Sequence, residues 1–371
     1  MTEVHVVLAG GGTAGHIEPA LNLADALRRR DSTVGITALG TARGLETTLV
    51  PARGYDLALI PAVPLPRKAS AGLFTVPSRM RAAVRAAADV LDRTRADVVV
   101  GFGGYVATPA YLAARRRHVP IVVHEANARP GLANRLGARF TSFVAETVPG
   151  SGLPHARTIG LPLRVSISGL DRAARRHDAR VWFGLDVHQP VLLVFGGSQG
   201  AQRLNDVVDA SLNALRDAGV QVLHVTGAGH TSALDRAAGL EGDGGPAYVA
   251  HSYLDRMDLA YAAADLALCR AGAMTCAELA AVGLPAVYVP LPIGNGEQRF
   301  NALPVVSDGG GLIVDDTDLD EAWVRDNIVG LIFDHDRLMR MSTAASSHGH
   351  RNADEGLANL VEEAAATGDG R

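Results

Sequence analysis

Several glycine turns and a few carboxylates define the chemistry that this sequence could support. In Val6 to Ala20, VVLAGGGTAGHIEPA, an apolar run enters Gly10, Gly12 and Gly15 and leaves as a helical pattern. That G-x-G-x-x-G spacing lets a backbone approach a diphosphate and aims unpaired helix N–H groups at it. A nicotinamide dinucleotide site has the same spacing. GFGGYVATPA at 101–110 repeats the strand, glycine and helix order, and so does VLLVFGGSQGAQRLN from Val191, with Gly196, Gly197, Ser198 and Gly200 at its turn. Downstream, Gly272-Ala273 opens a helix whose first backbone donors, near 273–275, can meet a phosphate or a base edge. Glu278 lies one turn in. A carboxylate there can accept both hydroxyls of a ribose, each bond worth roughly 1.5–3 kcal/mol; the competing reading is an acid that complements the helix dipole. Glu297, Gln298 and Asn301 begin another helix beside the same edge. His124, Glu125 and Asn127 fall at the carboxyl end of a strand, the ligand-binding edge of open α/β sheets, although a satisfied core histidine is the plainer reading of His124 alone. Asp316-Thr317-Asp318 forms a D-x-D that could hold a metal, but Asp318 reads better as the N-cap of a helix over 319–329, so no metal site is expected.

These residues need a scaffold that brings strand ends together. Apolar runs near 4–9, 33–38, 57–60, 97–101, 120–124 and 141–145 alternate with helical segments, the first at 16–30. That rhythm predicts βαβ units and a mostly parallel sheet. A nicotinamide site would need an acid at the end of the second strand, roughly 20 residues past the glycines. Thr37-Ala38-Leu39-Gly40 supplies none. After a Gly/Pro break at 159–164 and a helix near 171–183, the pattern restarts at Val191 with strands 220–225, 247–250, 266–269 and 285–290 and helices 230–239 and 254–263. The second half thus repeats the first, and 371 residues suit two domains. A last helical stretch spans Ala353 to Ala366.

Composition excludes several classes. Every apolar run is broken well before the roughly 18 residues that a membrane span needs, and Met1 opens directly into a strand, so a cytosolic or peripheral protein is expected. Cys269 and Cys276 are too few for a disulfide framework and read as buried packing residues. The net charge of −4 hides an asymmetry: 19 Lys/Arg against 11 Asp/Glu through Leu163, and 16 against 28 after it. A basic first half points to an acidic partner, while Arg clusters such as Arg28–Arg30 and Arg115–Arg117 also fit solvated helix ends. Between 67 and 85, Leu73, Phe74, Val76 and Met80 interleave with Arg67, Lys68, Arg79, Arg81 and Arg85. That mixture suits docking on an anionic membrane surface, and an amphipathic helix packed on the sheet is the alternative.

Five stretches taken together resemble one family. GGTAGHIEPA (11–20), GFGGYVATP (101–109), HEANARPGLANR (124–135), GGSQGAQRLN (196–205) and CRAGAMTCAELAAVGLPAVYVPLP with the following EQRFNA (269–302) are similar to the MurG family of peptidoglycan glycosyltransferases, in order and across essentially the whole chain. The resemblance implies an α/β protein with a GT-B fold: two Rossmann-like doubly wound domains with an interdomain cleft. It places an acceptor and membrane-facing domain at 1–163, a donor domain at 164–344, and a C-terminal helix at about 345–366 that packs back on the first domain. The implied donor contacts are Thr13, Ala14, Gly15, Asn127, Arg164, Ser198, Leu254, Ala273, Met274, Thr275, Cys276, Ala277, Glu278 and Gln298. Within that set Glu278 would hold the ribose, the 253–254 backbone the uracil edge, and Ser198 the diphosphate. Tyr105, His124 and Asn134 would contact the acceptor.

The implied reaction moves N-acetylglucosamine from UDP-N-acetylglucosamine to the 4-hydroxyl of undecaprenyl-diphospho-N-acetylmuramoyl pentapeptide (lipid I), with inversion, giving lipid II. His16 is the first choice as general base, its unperturbed pKa of about 6.5 suiting neutral pH, and Glu125 is the second. No cofactor is required; helix N-termini and Arg164 would stabilise departing UDP without a metal. Expected partners are the two substrates, an anionic membrane surface and proteins of cell-wall synthesis and division, with no nucleic acid. The expected location is peripheral, on the cytoplasmic face of the membrane. Two departures from the family pattern stand out: Ala14 where glycine is common, and Glu297 where glutamine is common. Rival readings are another GT-B glycolipid transferase, a UDP-N-acetylglucosamine epimerase and a non-catalytic sugar-nucleotide scaffold.

Overall fold

The computed structural model describes residues 4–63, 76–197, 200–227, 229–240, 242, 244–293 and 296–368. It divides into two compact units, 1–163 with 352–371, and 164–351. The first unit carries β1 (His5–Gly10), β2 (Gly35–Gly40), β3 (Asp56–Leu59), β4 (Val98–Gly103), β5 (Ile121–Glu125), β6 (Val144–Glu146) and β7 (Ala156–Thr158). All pair in parallel, in the order β3-β2-β1-β4-β5-β6-β7. The second unit carries β8 (Val191–Phe195), β9 (Gln221–Val225), β10 (Tyr248–His251), β11 (Leu266–Cys269), β12 (Ala286–Tyr288) and β13 (Gly311–Ile313), again parallel, in the order β10-β9-β8-β11-β12-β13. β1, β4, β5, β8, β9 and β11 are buried at nearly every residue, because crossover helices cover both faces of a parallel sheet.

Strand order reverses between β1 and β4 in one unit and between β8 and β11 in the other. Crossovers leave such a switch point in opposite directions, which opens a crevice at the carboxyl ends of the two strands. Gly10 and Gly103 are register partners across the first switch point, and Phe195 and Cys269 across the second. The glycine turns read from the sequence therefore lie at the two positions where a doubly wound sheet binds ligands.

The helix Ala353–Ala366 belongs to the first unit, where Leu357, Leu360 and Val361 join the core that also buries Leu21, Leu23 and Leu27 of the helix Ala14–Arg30. Arg29 pairs with Asp354, and Arg30 with Glu355 at 2.7 Å and Glu362 at 2.9 Å. The preceding helix, His335–Ser347, lies in the second unit, so the return begins at 352 rather than about 345.

The strand expected at 97–101 runs on into its glycines, and β7 and β13 add short strands that the apolar pattern did not mark. The helix expected at 319–329 is a short helix Glu321–Trp323, a π-helical turn Val324–Val329 and a helix Gly330–Phe333. Its N-cap is Asp320, whose side chain accepts from Trp323 N–H at 2.7 Å. Asp318 cannot serve, because residues 318 and 319 still belong to a turn in which both N–H groups bond the Asp315 carbonyl. Cys269 and Cys276 are buried and form no disulfide. No helix among the described residues is long and apolar enough to cross a membrane.

Candidate functional site

The first switch point gathers most of the expected acceptor-side residues. Thr13 precedes the helix Ala14–Arg30 in extended conformation, but its side chain does not cap that helix; Thr13 Oγ1 lies 3.1 Å from His16 Nδ1. The His16 imidazole rests against Gly103, where a Cβ would lie 3.2 Å from Nε2. Burial lowers the His16 pKa below 6.5, only partly opposed by a hydrogen bond to the Gly11 backbone, so the ring is neutral and able to take a proton at pH 7. Tyr105 is 52% exposed, and its ring stands beside Gly12. Ala14 begins the helix and is absent from the non-glycine residues with positive φ among those described, so its methyl group carries no left-handed strain.

The other three side chains expected here turn inward. His124 is 0% exposed; its Nε2 lies 2.8 Å from the Gly160 carbonyl, and its ring lies 5.5 Å from that of Phe102. Burial pushes its pKa down to about 4. Asn134 is also buried. Its amide donates to the His124 carbonyl and to Glu125 Oε2, both at 3.0 Å, and its Oδ1 accepts from the buried Tyr111 hydroxyl at 2.8 Å. Glu125 accepts in addition from Asn127 N–H at 2.9 Å and Gly131 N–H at 3.0 Å. Burial raises its pKa against these bonds. His124 and Asn134 are thus corrected from acceptor contacts to internal supports, since neither keeps a surface that a ligand could reach. Glu125, expected as an alternative base, organises the 126–131 loop, with both oxygens already accepting N–H groups. Asn134 Nδ2 lies 3.6 Å from the point that a Gly103 Cβ would occupy, so this network backs directly onto the His16 site.

In the second unit the expected donor residues other than Arg164 lie on the loops and helix starts that follow β8, β10, β11 and β12. Gly197 and Gly200 of the loop after β8 have positive φ, and a Cβ on Gly200 would lie 2.2 Å from the Thr226 carbonyl. Ser198 lies outside the described residues. Leu254 is half-buried beside the exposed Tyr253. Gly272 caps the helix Ala273–Val282 in extended conformation, leaving the turn Ala273, Met274 and Thr275 half-buried with Cys276 beneath it, and Ala277 and Glu278 half-buried one turn on.

The hydroxyl of fully buried Tyr261 donates to Glu278 Oε2 at 2.7 Å. The end of the Tyr261 helix is held by Arg172, which donates to the carbonyls of Tyr261 (2.9 Å), Ala264 (2.6 Å) and Gly283 (2.8 Å). Gln298 Oε1 accepts from Leu291 N–H at 3.0 Å, fixing the loop after β12. Glu297 and Arg164 are half-buried, and each has contacts of its own. Asp316 of the D-x-D forms an ion pair with Arg270, and Asp318 accepts from Thr317 at 3.2 Å.

Of the basic and apolar stretch 67–85, residues 67–75 lie outside the described residues. The remainder begins the helix Val76–Thr94, with Met80, Val84, Ala87 and Leu91 against the sheet and Arg79, Arg81 and Arg85 exposed. Sequence reasoning missed Glu46, Tyr111, Arg172 and Tyr261, for which neither periodicity nor spacing carries a signal.

Two parallel doubly wound units, each with a glycine turn at its switch point, define the GT-B fold. Residues 6–145 match the glycosyltransferase family 28 N-terminal domain and 191–357 the family 28 C-terminal domain. The chain belongs to glycosyltransferase family 28. Among its relatives, a Streptomyces avermitilis protein is 63% identical over 98% of this chain and 99% of its own length. That protein is named UDP-N-acetylglucosamine--N-acetylmuramyl-(pentapeptide) pyrophosphoryl-undecaprenol N-acetylglucosamine transferase. The crystal structure of Acinetobacter baumannii MurG is similar with a TM-score of 0.78, at 27% identity, over 97% of this chain and 99% of that one. A Neisseria meningitidis UDP-GlcNAc 2-epimerase bound to UDP-GlcNAc has a TM-score of 0.68 over 98% of this chain and all of that one, but at 14% identity it shares the fold alone.

Proposed function

We propose that this protein transfers N-acetylglucosamine from UDP-N-acetylglucosamine to the muramoyl 4-hydroxyl of undecaprenyl-diphospho-N-acetylmuramoyl pentapeptide, converting lipid I into lipid II. The observation that carries this reading is the 63% identity, over nearly the full length of both chains, with a relative bearing that transferase name. His16 acts as general base in this scheme. It is neutral at pH 7 and stands at the start of a helix on the ligand-binding edge of its sheet. The attacking oxygen loses its proton to His16 as it bonds to the anomeric carbon, and the bond from that carbon to UDP breaks with inversion. The turn Ala273–Thr275, Ser198, Arg164 and Gln298 receive the nucleotide diphosphate, the 253–254 backbone takes the uracil edge, and Glu278 takes the ribose hydroxyls. Thr13, Ala14, Gly15 and Asn127 face the transferred sugar, and Tyr105 faces the acceptor.

The protein works as a peripheral enzyme at the cytoplasmic face of the membrane, drawn to anionic lipid by the basic stretch 67–85 and meeting other cell-wall proteins there. Mass spectrometry of the product from UDP-N-acetylglucosamine and a lipid I analogue tests the reaction. The expected result is one added N-acetylhexosamine on the acceptor. Conversion of the donor with no acceptor present would instead indicate an epimerase, and donor binding without turnover a scaffold.

A further inference from the structure

Beneath the first glycine turn lies a carboxylate that the scheme above does not use. Glu46 is the first residue of the helix Glu46–Ala52 and is 0% exposed. Its Oε1 accepts from Thr41 N–H at 2.7 Å and from the Thr41 hydroxyl at 3.0 Å, and its Oε2 accepts from Gly12 N–H at 3.1 Å. Burial pushes the carboxyl pKa up, but the bonds from the Thr41 and Glu46 backbones, Gly12 and the Thr41 hydroxyl together outweigh it and hold the group ionised.

Three glycines make room for this side chain. A Cβ would lie 1.9 Å from Glu46 Oε2 at Gly44, 2.4 Å from Cγ at Gly40 and 3.3 Å from Oε1 at Gly11. The Gly12 N–H is one of the donors that the G-x-G-x-x-G spacing would aim at a phosphate, and here it is bound to the protein's own anion. The turn held in this way supports the rest of the site. A Cβ on Gly104 would lie 2.2 Å from the Gly11 carbonyl oxygen, and one on Gly10 would lie 2.5 Å from that of His16, so both glycine turns and the start of the helix are in close contact.

We propose that Glu46 is a positioning residue: an internal carboxylate that fixes the Gly10–Gly12 turn in the shape that seats the His16 ring against Gly103, a role that rests on His16 being the base. Glu46 acts through geometry: its bonds to Thr41 and to Gly12 N–H hold the turn from which the His16 helix starts. Displacing a reacting group by about 1 Å can cost on the order of 10²-fold in rate.

Glu46→Gln keeps the shape but sets an amide N–H2 against the Gly12 N–H when its oxygen stays on Thr41. In the full-length enzyme kcat is expected to fall about ten-fold or more, while KM for the donor and calorimetric UDP affinity stay within about two-fold. In a His16→Ala background Glu46→Gln should cost nothing further. Gly44→Ala displaces the same carboxylate without removing its charge and should reproduce the loss, so it carries the test if Glu46→Gln does not fold. Wild-type turnover in these variants, or an equal loss with and without His16, overturns the positioning role. Near-wild-type turnover of His16→Ala alone refutes the base and the positioning role together. A loss in His16→Ala beside wild-type Glu46→Gln refutes only the role of Glu46.

Discussion

Replacing Tyr261 by Phe removes one oxygen atom from the second unit and tests the ribose-binding role proposed for Glu278. The Tyr261 ring is fully buried, with its centroid 6.0 Å from that of Phe195, and the substitution leaves this packing in place. What disappears is a hydroxyl donating to Glu278 Oε2 at 2.7 Å. Desolvation and the neighbouring Glu278 charge push the phenol pKa well up, so the hydroxyl remains a donor throughout the working range of pH. A hydrogen bond to an ionised partner contributes roughly 1.5–3 kcal/mol, and half-buried Glu278 regains part of this from water once the hydroxyl has gone. Because this bond is already made without nucleotide, its loss acts on binding by leaving the carboxylate less ordered, and an ordering cost of about 1.4 kcal/mol corresponds to ten-fold weaker UDP binding. Titration calorimetry with UDP and 2′-deoxy-UDP, for wild type, Tyr261→Phe and Glu278→Ala, measures this directly. Wild type should discriminate against the deoxynucleotide, Tyr261→Phe should discriminate less, and Glu278→Ala hardly at all. Unchanged UDP affinity in Tyr261→Phe would refute the reasoning. Equal weakening of both nucleotides would also refute it, because that result would mean general loosening rather than loss of a ribose acceptor.

His16→Ala should lower kcat by about 10²-fold, the usual worth of a general base, with calorimetric UDP affinity nearly unchanged. Because burial lowers the His16 pKa, the acid limb of the kcat/KM profile should fall below pH 6.5, and a limb centred above that value would assign it to another group. Stability should show a related window. His124 and His224 are both fully buried, and each is pushed down to about 4, His224 by burial and by the nearby His230. Both are neutral in the folded protein, so the unfolded chain takes up protons first as pH falls. The stability they contribute is complete above about pH 6.5 and is lost toward pH 4, each costing about 2 kcal/mol by pH 5. Urea unfolding at pH 7 and pH 5 should show this loss, and His224→Gln should flatten it for the unit that contains it; an unchanged slope would remove His224 as a cause.

Much of the architecture was legible because its signals are local. Apolar runs of strand length alternating with helical segments follow from the burial of both faces of a parallel sheet. The turns at 10–12, 103–104 and 196–200 need backbone conformations that glycine adopts without strain: Gly12, Gly103, Gly104, Gly197 and Gly200 all have positive φ. The missing acid near Leu39 argues against a dinucleotide in the same local way, because the acid that holds a ribose would stand at the end of that one strand. The helix cap falls at Asp320 rather than Asp318, because which of the two starts the helix depends on how the Asp315 turn closes.

Which way each polar side chain points was decided only by the folded chain. His124 and Glu125 sit at a strand end, where a ligand would be expected, yet the His124 ring turns to the Gly160 carbonyl, and Glu125 is bound by Asn134, which Tyr111 holds from the neighbouring helix. The glycine spacing at 10–15 allowed a phosphate at Gly12, but a carboxylate 34 positions away occupies that N–H. Glu278 is oriented by a tyrosine 17 positions earlier, at the end of a different crossover. Residue type and spacing therefore determined the twin glycine-turn scaffold and the places where ligands can bind. The tertiary structure decided which donors and acceptors remain available there, because a buried polar group takes whichever partner packing brings within about 3 Å, however far away that partner lies in the chain.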